Sequence, residues 1–103
     1  SLIIKESNFS PDQLKQFAFE LKQELKNCVL LLTSNYNNKP NITLMISEDL
    51  VESKKWSAET IIKDFAKEIK GGGGGQPFFA TAGGVDINGL EKVLYKANEL
   101  FKD

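Results

Sequence analysis

The sequence contains no histidine and no arginine, and it has a single cysteine, Cys28. Without histidine there is no imidazole general base, no Ser-His or Cys-His nucleophile pair and no histidine metal ligand. Without arginine there is no bidentate phosphate clamp and no arginine finger. One cysteine cannot form an internal disulfide, and its place in an apolar run indicates an intracellular core residue. Enzymes that depend on these groups are excluded, and an enzyme built on carboxylates and lysines alone is disfavoured.

A large excess of charge and a long apolar segment are also missing. The 13 lysines are balanced by 14 acidic residues, so the net charge is −1. This balance argues against a polybasic binder of nucleic acids or membranes, and it requires any RNA site to be local. The longest apolar run, residues 28–32, is far too short to cross a bilayer or to form a signal-peptide core. We therefore expect a cytoplasmic protein with no membrane partner.

What remains is sufficient for one hydrophobic core. The chain has 103 residues, of which 41% are apolar and 10% aromatic. Folding at this length buries roughly two thirds of the surface that the unfolded chain exposes. Residues 1–103 are expected to form a single domain. Because the chain starts with Ser1 and apolar residues rather than with methionine, we expect it to be a fragment cut from a longer protein at a domain boundary, or a chain with a processed end.

Hydrophobic periodicity predicts three amphipathic helices. The first begins in the capping pattern at residues 10–13, and its apolar stripe consists of Leu14, Phe17, Ala18, Leu21 and Leu25. The second follows Ser57 and ends at Gly71, and its apolar face consists of Ile61, Ile62, Phe65, Ala66 and Ile69. The last starts in the N-x-x-E pattern at residues 88–91, and its inward residues are Leu90, Val93, Leu94, Ala97, Leu100 and Phe101.

Strands are predicted at residues 2–4, 28–33, 42–47 and 78–82. The second is apolar on both alternating faces, which is typical of a strand covered on both sides. Turn-forming residues 35–40 join it to the third as an antiparallel hairpin, and residues 48–56 are interpreted as a connection. The predicted fold class is therefore α/β: a single domain with a mixed β-sheet and packed helices, in the order β-α-β-β-α-β-α.

Five consecutive glycines, residues 71–75, form the one segment that packing does not predict. Glycine loses more backbone freedom on folding than any other residue, so the run needs a compensating reason. Its N–H groups are not screened by side chains, so a phosphate oxygen or a nucleotide can approach them closely. Residues 69–85 contain no acid, and their sole charge is Lys70. An anionic ligand would meet no repulsion from this segment.

Two phosphate-binding motifs are excluded here, and one structural alternative stays open. No glycine is followed by Lys-Ser or Lys-Thr, as a P-loop requires, and the run follows a helix rather than a strand, unlike a dinucleotide fingerprint. The alternative is that Gly71 only terminates the helix and the other glycines form a flexible linker. Hydrophobic residues 78–80, directly after the run, disfavour a linker. A substitution at Gly73, the centre of the run, is chosen to separate the two hypotheses.

The segment 71–84, GGGGGQPFFATAGG, resembles the glycine-rich signature of the C-terminal domain of alanyl-tRNA synthetase, a relative of the DHH-associated domain of DHH phosphoesterases and exonucleases. The strand-helix-hairpin-helix order and the closing helix extend the resemblance over nearly the whole chain. Gln76 stands where the synthetase often has arginine, so a neutral amide replaces a charge-assisted phosphate contact. The exonuclease relatives usually have a histidine after their glycines, which this chain lacks.

The resemblance implies a non-catalytic domain that binds alanine-specific tRNA, with no DNA partner expected. In that family the domain holds the outer corner of the L-shaped tRNA, helps to bring aminoacylation and editing modules onto one tRNA, and contributes to homodimers of many bacterial members. No cofactor, catalytic residue or metal ligand is expected here, and ATP, Mg²⁺ and Zn²⁺ are expected only in the rest of the synthetase. The candidate tRNA-binding residues are Lys70, Gly71, Gly72, Gly73, Gly74, Gly75, Gln76, Thr81, Lys54 and Lys55.

Three other interpretations stay open. Lys54 and Lys55 with Trp56 could offer two cations and a stacking surface to RNA, although packing of Trp56 against the next helix is the favoured interpretation. The domain could instead be the substrate-binding part of a DHH-type phosphoesterase or of a free-standing alanyl-tRNA editing protein. It could also be an oligomerisation module that uses the last helix.

Overall fold

A computed structural model of the chain describes residues 2–22, 24 and 26–102. The described residues form the strands β1 (Leu2–Ser7), β2 (Val29–Tyr36), β3 (Lys39–Ile46), β4 (Gly72–Gln76) and β5 (Phe79–Gly83). They form the helices α1 (Pro11–Lys22), α2 (Glu48–Lys54), α3 (Ala58–Glu68) and α4 (Leu90–Leu100). A short 3-10 turn, Ile87–Gly89, precedes α4. None of the described helices is long and apolar enough to cross a membrane.

The five strands make one mixed sheet in the order β1-β2-β3-β5-β4. β1 and β2, which are connected through α1, run parallel, and every other neighbouring pair is antiparallel. A single domain with a mixed sheet and packed helices confirms the predicted fold class. Two elements that the predicted order omits, α2 and β4, are present. β4 is an edge strand, so the glycine run forms one border of the sheet.

The central strands are covered on both faces, as their continuous apolar pattern predicts. On one face α3 and α4 cover a large core that contains Leu31, Leu44 and Phe65. On the other face α1 covers a smaller core through Leu14 and Ala18. The predicted stripes of α1 and α3 thus face separate cores on opposite sides of the sheet, and Leu25 lies outside the described residues.

The start of α1 has the reciprocal cap that its sequence predicts. The Ser10 hydroxyl accepts a hydrogen bond from the Gln13 N–H at 3.2 Å. The Gln13 side-chain oxygen accepts one from the Ser10 N–H at 2.9 Å. Two N–H groups at the start of the helix are therefore satisfied by side chains. This cap sets where the helix begins on the sheet.

Residues 48–54 form the helix α2, so the prediction of a plain connection is wrong there. Leu50 is buried and anchors the helix in the core. The Asp49 carboxylate accepts a hydrogen bond from the Asn27 N–H at 3.1 Å, which fastens α2 to the start of β2. A hydrogen bond from the Ser47 side chain is the main cause that lowers the pKa of Asp49. The helix has only two turns, which is too short for a periodic stripe to be recognised.

The last helix begins and ends differently from the prediction. Asp86 caps the 3-10 turn, because its carboxylate accepts a hydrogen bond from the Asn88 N–H at 3.0 Å. α4 begins after this turn with Gly89, not Asn88, at its N-cap. Leu100 is 42% exposed, so its predicted inward orientation is wrong. Phe101 takes the inward position at the end of the helix, where its ring meets the Trp56 ring edge-on at a centroid distance of 4.9 Å. Trp56 therefore packs against the core, as the sequence favoured, but its ring contact is with the residue that ends α4, whereas the prediction named the next helix.

The glycine run forms a strand, so its prediction as a loop is wrong. β4 pairs with β5 along its whole length, with Gly72 opposite Gly83, Gly74 opposite Thr81 and Gln76 opposite Phe79. A strand in a ladder is not a flexible linker. Successive residues of a strand face opposite sides of the sheet, so the glycines divide into two sets.

One set of glycines faces the core beneath α3 and has no room for a side chain. Gly73 lies opposite Ala82, which belongs to that core. A Cβ on Gly73 would lie 2.5 Å from the Thr81 carbonyl oxygen and 2.6 Å from the Ala82 Cβ. Gly75 has a φ of 153°, a conformation that other residues rarely adopt. Close packing against β5 therefore requires glycine at these positions.

The other set faces the opposite side of the sheet and is open. A Cβ on Gly72 or Gly74 would meet no atom within 4 Å. Packing does not require glycine at these two positions, which leaves the backbone of β4 uncovered on the side where α1 lies. The Gly73 substitution suggested by the sequence would therefore disturb packing, whereas Gly74 reports on the open face.

We predict that Ser10→Ala lowers the free energy of unfolding by about 1 kcal/mol, because the capping hydrogen bond to the Gln13 N–H is lost. Ser57→Ala is the matched control, since Ser57 stands at the N-cap of α3 without a capping hydrogen bond from its side chain. Its change should stay within about 0.5 kcal/mol. Urea denaturation followed by circular dichroism measures both, and equal losses in the two variants would contradict the role of the cap.

We predict that Gly73→Ala lowers the free energy of unfolding by about 1 to 3 kcal/mol, because its methyl group overlaps β5. Gly74→Ala should leave the free energy unchanged or raise it by up to about 1 kcal/mol, because its methyl group enters open space and restricts the unfolded chain. Thermal melts of the two variants beside the parent check this contrast. Equal melting temperatures for the two variants would show that the glycines are not divided into two sets.

Candidate nucleic-acid interface

A groove lies on the sheet face that α1 covers only in part. Its volume is about 420 Å³, and it runs between the first turn of α1 and the strands β3, β5 and β4. We call it the glycine groove. It is lined by Pro11, Asp12, Leu14, Lys15, Asn41, Ile42, Thr43, Gly72, Gly73, Gly74, Gly75, Phe79, Thr81, Ala82 and Gly83. The run of glycines thus forms one wall of a concave surface.

The floor of the glycine groove includes small polar side chains from β3 and β5 beside apolar ones such as Phe79. The register places Thr43 opposite Thr81 and Thr81 opposite Gly74, which forms one row across three strands. Asn41 lies opposite Gly83 on the same face. Hydroxyl and amide groups can both donate and accept hydrogen bonds. Thr43 is buried, whereas Thr81 is exposed and a Cβ on Gly74 would meet no atom within 4 Å. A flat or extended ligand can therefore reach the backbone of β4 at the outer end of this row.

A second groove of about 540 Å³ continues from the first at the turn between β2 and β3. We call it the hairpin groove. It shares Pro11, Asn41 and Gly83 with the glycine groove. Its other lining residues are Tyr36, Asn37, Lys39, Lys70, Gly71, Gly84 and Val85. The two grooves form one continuous concave surface along the sheet.

The lysines of this surface face solvent. Lys39 and Lys70 line the hairpin groove and are exposed, and Lys15 lines the glycine groove. Within the described part of the chain, none of the three forms an ion pair. Among the described residues that line the two grooves, Asp12 is the one acid. The local charge of this surface is therefore positive, although the net charge of the whole chain is −1.

The backbone around Lys70 is held in a fixed conformation. Lys70 has a φ of 53°, in the left-handed region, and its N–H donates to the Lys67 carbonyl at 3.2 Å. The following N–H, of Gly71, donates to the Ala66 carbonyl at 2.9 Å. These bonds end α3 and turn the chain into β4. The position of Lys70 at the groove therefore follows from the helix terminus.

The nearest acid along the chain before Lys70 is engaged with another lysine. Glu68 forms an ion pair with Lys96 of α4 at 2.7 Å, and Asp64 lies 3.3 Å from the same Nζ. The hydrogen bond to Glu68 is the main cause that raises the pKa of Lys96. This network ties α3 to α4 and leaves Lys70 available to a ligand.

The structure brings most of the candidate residues together and leaves three apart. Gly72, Gly73, Gly74, Gly75 and Thr81 line the glycine groove, and Lys70 and Gly71 line the hairpin groove. Gln76, Lys54 and Lys55 are exposed and line neither groove. Lys55 ends α2 in the left-handed conformation, with a φ of 59°. The contacts predicted for these three residues stay predictions.

Several residues of the surface are not among those predicted from the sequence. Lys15, Tyr36, Lys39, Asn41 and Thr43 come from α1, β2 and β3, all distant from the glycine run along the chain. The alternation of Lys39, Asn41 and Thr43 places them on one face of β3, which is the only sequence signal. The residues of β3 lie near β4 because the sheet order places β5 between these two strands.

Comparisons with known proteins show which family this chain is similar to. The family model described as "DHHA1 domain" matches residues 1–103. An alanine–tRNA ligase from Cytophaga hutchinsonii is 50% identical over 93 residues, which cover 90% of this chain and 11% of the ligase. An alanine–tRNA ligase from Christiangramia forsetii is 40% identical over 89 residues, which cover 86% of this chain and 10% of the ligase. The chain thus spans about a tenth of the length of these relatives.

A solved structure has the same fold. The crystal structure of the C-Ala domain from Aquifex aeolicus alanyl-tRNA synthetase superposes with a TM-score of 0.86 and covers 99% of this chain and 91% of that chain. The sequences are 24% identical, so this likeness establishes the fold. The resemblance found in the glycine-rich segment is confirmed by the family match. The chain belongs to the DHHA1 domain family, and its fold is that of the C-Ala domain.

Proposed function

We propose that this chain is the tRNA-binding domain of an alanine–tRNA ligase and that it contacts tRNA through the glycine groove. The observation that carries the proposal is the open backbone of Gly72 and Gly74, where a Cβ would meet no atom within 4 Å, in a groove that also contains Lys15. The relatives in Cytophaga hutchinsonii and Christiangramia forsetii are alanine–tRNA ligases. A substrate of such enzymes is the natural ligand for this surface.

The chemistry of the glycine groove suits RNA. A backbone without side chains allows a sugar-phosphate chain or the flat end of a base stack to lie against the sheet. The exposed Thr81 hydroxyl can donate to a phosphate oxygen or to a ribose hydroxyl. Lysine contributes charge without a fixed fork geometry, so it holds phosphates at variable positions. In this proposal the groove receives the outer corner of the L-shaped tRNA.

In this proposal the domain tethers tRNA to the rest of the ligase. Binding at the outer corner keeps one tRNA attached while its acceptor end moves between the aminoacylation and editing modules, because a tethered ligand has a high effective concentration. ATP, Mg²⁺ and Zn²⁺ would bind to those other modules. A homodimer of the full-length ligase would have two such tRNA-binding domains.

We predict that binding of a transcript of alanine-specific tRNA depends only modestly on salt. Three lysines line the two grooves, so three phosphate contacts give a slope of log K against log salt of about −2 to −3. Fluorescence anisotropy of labelled tRNA over a series of KCl concentrations measures the slope. A slope near −8 would contradict the proposal, because it would require a basic surface elsewhere.

We predict that Gly74→Asp weakens tRNA binding about tenfold, or roughly 1.4 kcal/mol, because a carboxylate then projects into the groove where phosphate would lie. Gly74→Asn is the matched control, with nearly the same shape and no charge, and should lose much less. Thermal melts must accompany the titrations, and both variants should melt close to the parent because the position is open. Parental affinity of a folded Gly74→Asp would remove the tRNA site from the glycine groove.

A further inference from the structure

We propose that the hairpin groove is a second RNA subsite, in which Tyr36 stacks on one unpaired nucleobase while Lys39 and Lys70 hold the adjacent phosphates. The inference deepens the proposed function and rests on it, since both grooves would bind the same tRNA. It concerns residues from the β2–β3 hairpin, which lie apart from the glycine run in the sequence.

Tyr36 is an accessible aromatic side chain at the end of a tight hairpin. It ends β2 and pairs with Lys39, the first residue of β3, across a two-residue turn. Both turn residues, Asn37 and Asn38, have left-handed φ values of 52° and 62°, which is the geometry of a tight type I′ hairpin. Tyr36 is nevertheless 38% exposed and lines the hairpin groove. A tightly closed hairpin fixes the backbone that carries the ring before a ligand arrives, which lowers the entropy cost of binding.

The hairpin groove has the charge and polarity that a nucleotide requires. No acidic residue is found among its described lining residues, whereas two lysines are present. Val85, which is 68% exposed, supplies a further apolar surface in the same groove. Its volume of about 540 Å³ falls within the range of roughly 300 to 1,000 Å³ that ligand sites occupy. An aromatic ring flanked by cations is the arrangement that binds single-stranded nucleic acid.

A second exposed tyrosine of the chain lies beside acidic residues and serves as a comparison for Tyr36. Tyr95 on α4 is 69% exposed, and the pocket beside it is lined by Glu68, Glu91, Lys92 and Lys96. One of those two lysines, Lys96, is paired with Glu68. The carboxylates would repel a phosphate, so exposure of a tyrosine alone does not make an RNA site. Tyr95 therefore provides a matched control on the same chain.

The class of ligand follows from the stacking geometry. A base inside a duplex has both faces covered by its neighbours, so Tyr36 can stack only on a base that is bulged, looped out or at the end of a stack. The hairpin groove shares Pro11, Asn41 and Gly83 with the glycine groove, so a single RNA strand can pass from one to the other. The subsite should accept any base, because every base has a π-face.

The test measures affinity of the 103-residue chain for the alanine tRNA transcript by fluorescence anisotropy. Tyr36→Leu should weaken binding about 5- to 100-fold, since it removes the ring, and Tyr36→Phe should bind like the parent. Tyr95→Leu should also bind like the parent. The salt slope of Tyr36→Leu should stay parental, whereas Lys39→Gln and Lys70→Gln should each reduce its magnitude by about 0.7 to 0.9.

The outcomes separate this inference from the proposed function. If Tyr36→Leu binds like the parent while Gly74→Asp loses affinity, the subsite is wrong and the glycine groove stands. If both bind like the parent, or if the parent does not bind tRNA, both proposals fall. An equal loss in Tyr36→Leu and Tyr95→Leu would also overturn the subsite. Should Tyr36→Leu melt below the assay temperature, the lysine slopes decide: parental slopes in Lys39→Gln and Lys70→Gln would contradict the inference.

Discussion

The close pairing of β4 with β5 is the constraint on which this structure depends. On the side of α3 the two strands approach so closely that a Cβ on Gly73 would lie 2.5 Å from a backbone oxygen of β5. That side of β4 therefore tolerates only glycine. The other side has open space, and because Gly72 and Gly74 have no side chains, the backbone of the strand is uncovered there. One run of glycines thus lets β4 approach β5 closely on one side and exposes backbone on the other.

The exposed backbone becomes a site because of what surrounds it. α1 is fixed by its cap at Ser10 and packs on the sheet through Leu14 and Ala18, and the glycine groove lies beside its first turn. β3 and β5 supply hydroxyl and amide groups to the floor. Lys70 follows α3 in the left-handed conformation, which places it at one end of the surface. A chain with a net charge of −1 can in this way present a local positive surface to an anionic ligand, because the partner senses the nearby charges more strongly than distant ones.

The proposed function is compatible with a domain that has neither histidine nor arginine. A domain that binds and positions its ligand requires hydrogen-bond donors, cations and flat surfaces, and lysine, threonine, asparagine and tyrosine supply all of these. It has no need of an activated nucleophile when chemistry takes place in other modules. The fold is kept at 24% identity to the C-Ala domain of Aquifex aeolicus, which shows that most side chains can differ while the fold stays the same.

The sequence by itself determined the fold class, the buried central strands, the cap of α1 and the importance of the glycine segment, because these depend on local patterns of period 2 or 3.6 and on side chains close along the chain. It did not reveal α2, which is too short for a stripe, or β4, because five glycines carry no hydrophobic alternation. Only the tertiary structure decided that Gly73 is packed and Gly74 open, that Leu100 faces outward, and that Tyr36, Lys39 and Lys15 share a surface with Lys70. The reason is physical: which face of a strand is covered depends on register and on neighbours that are distant in sequence.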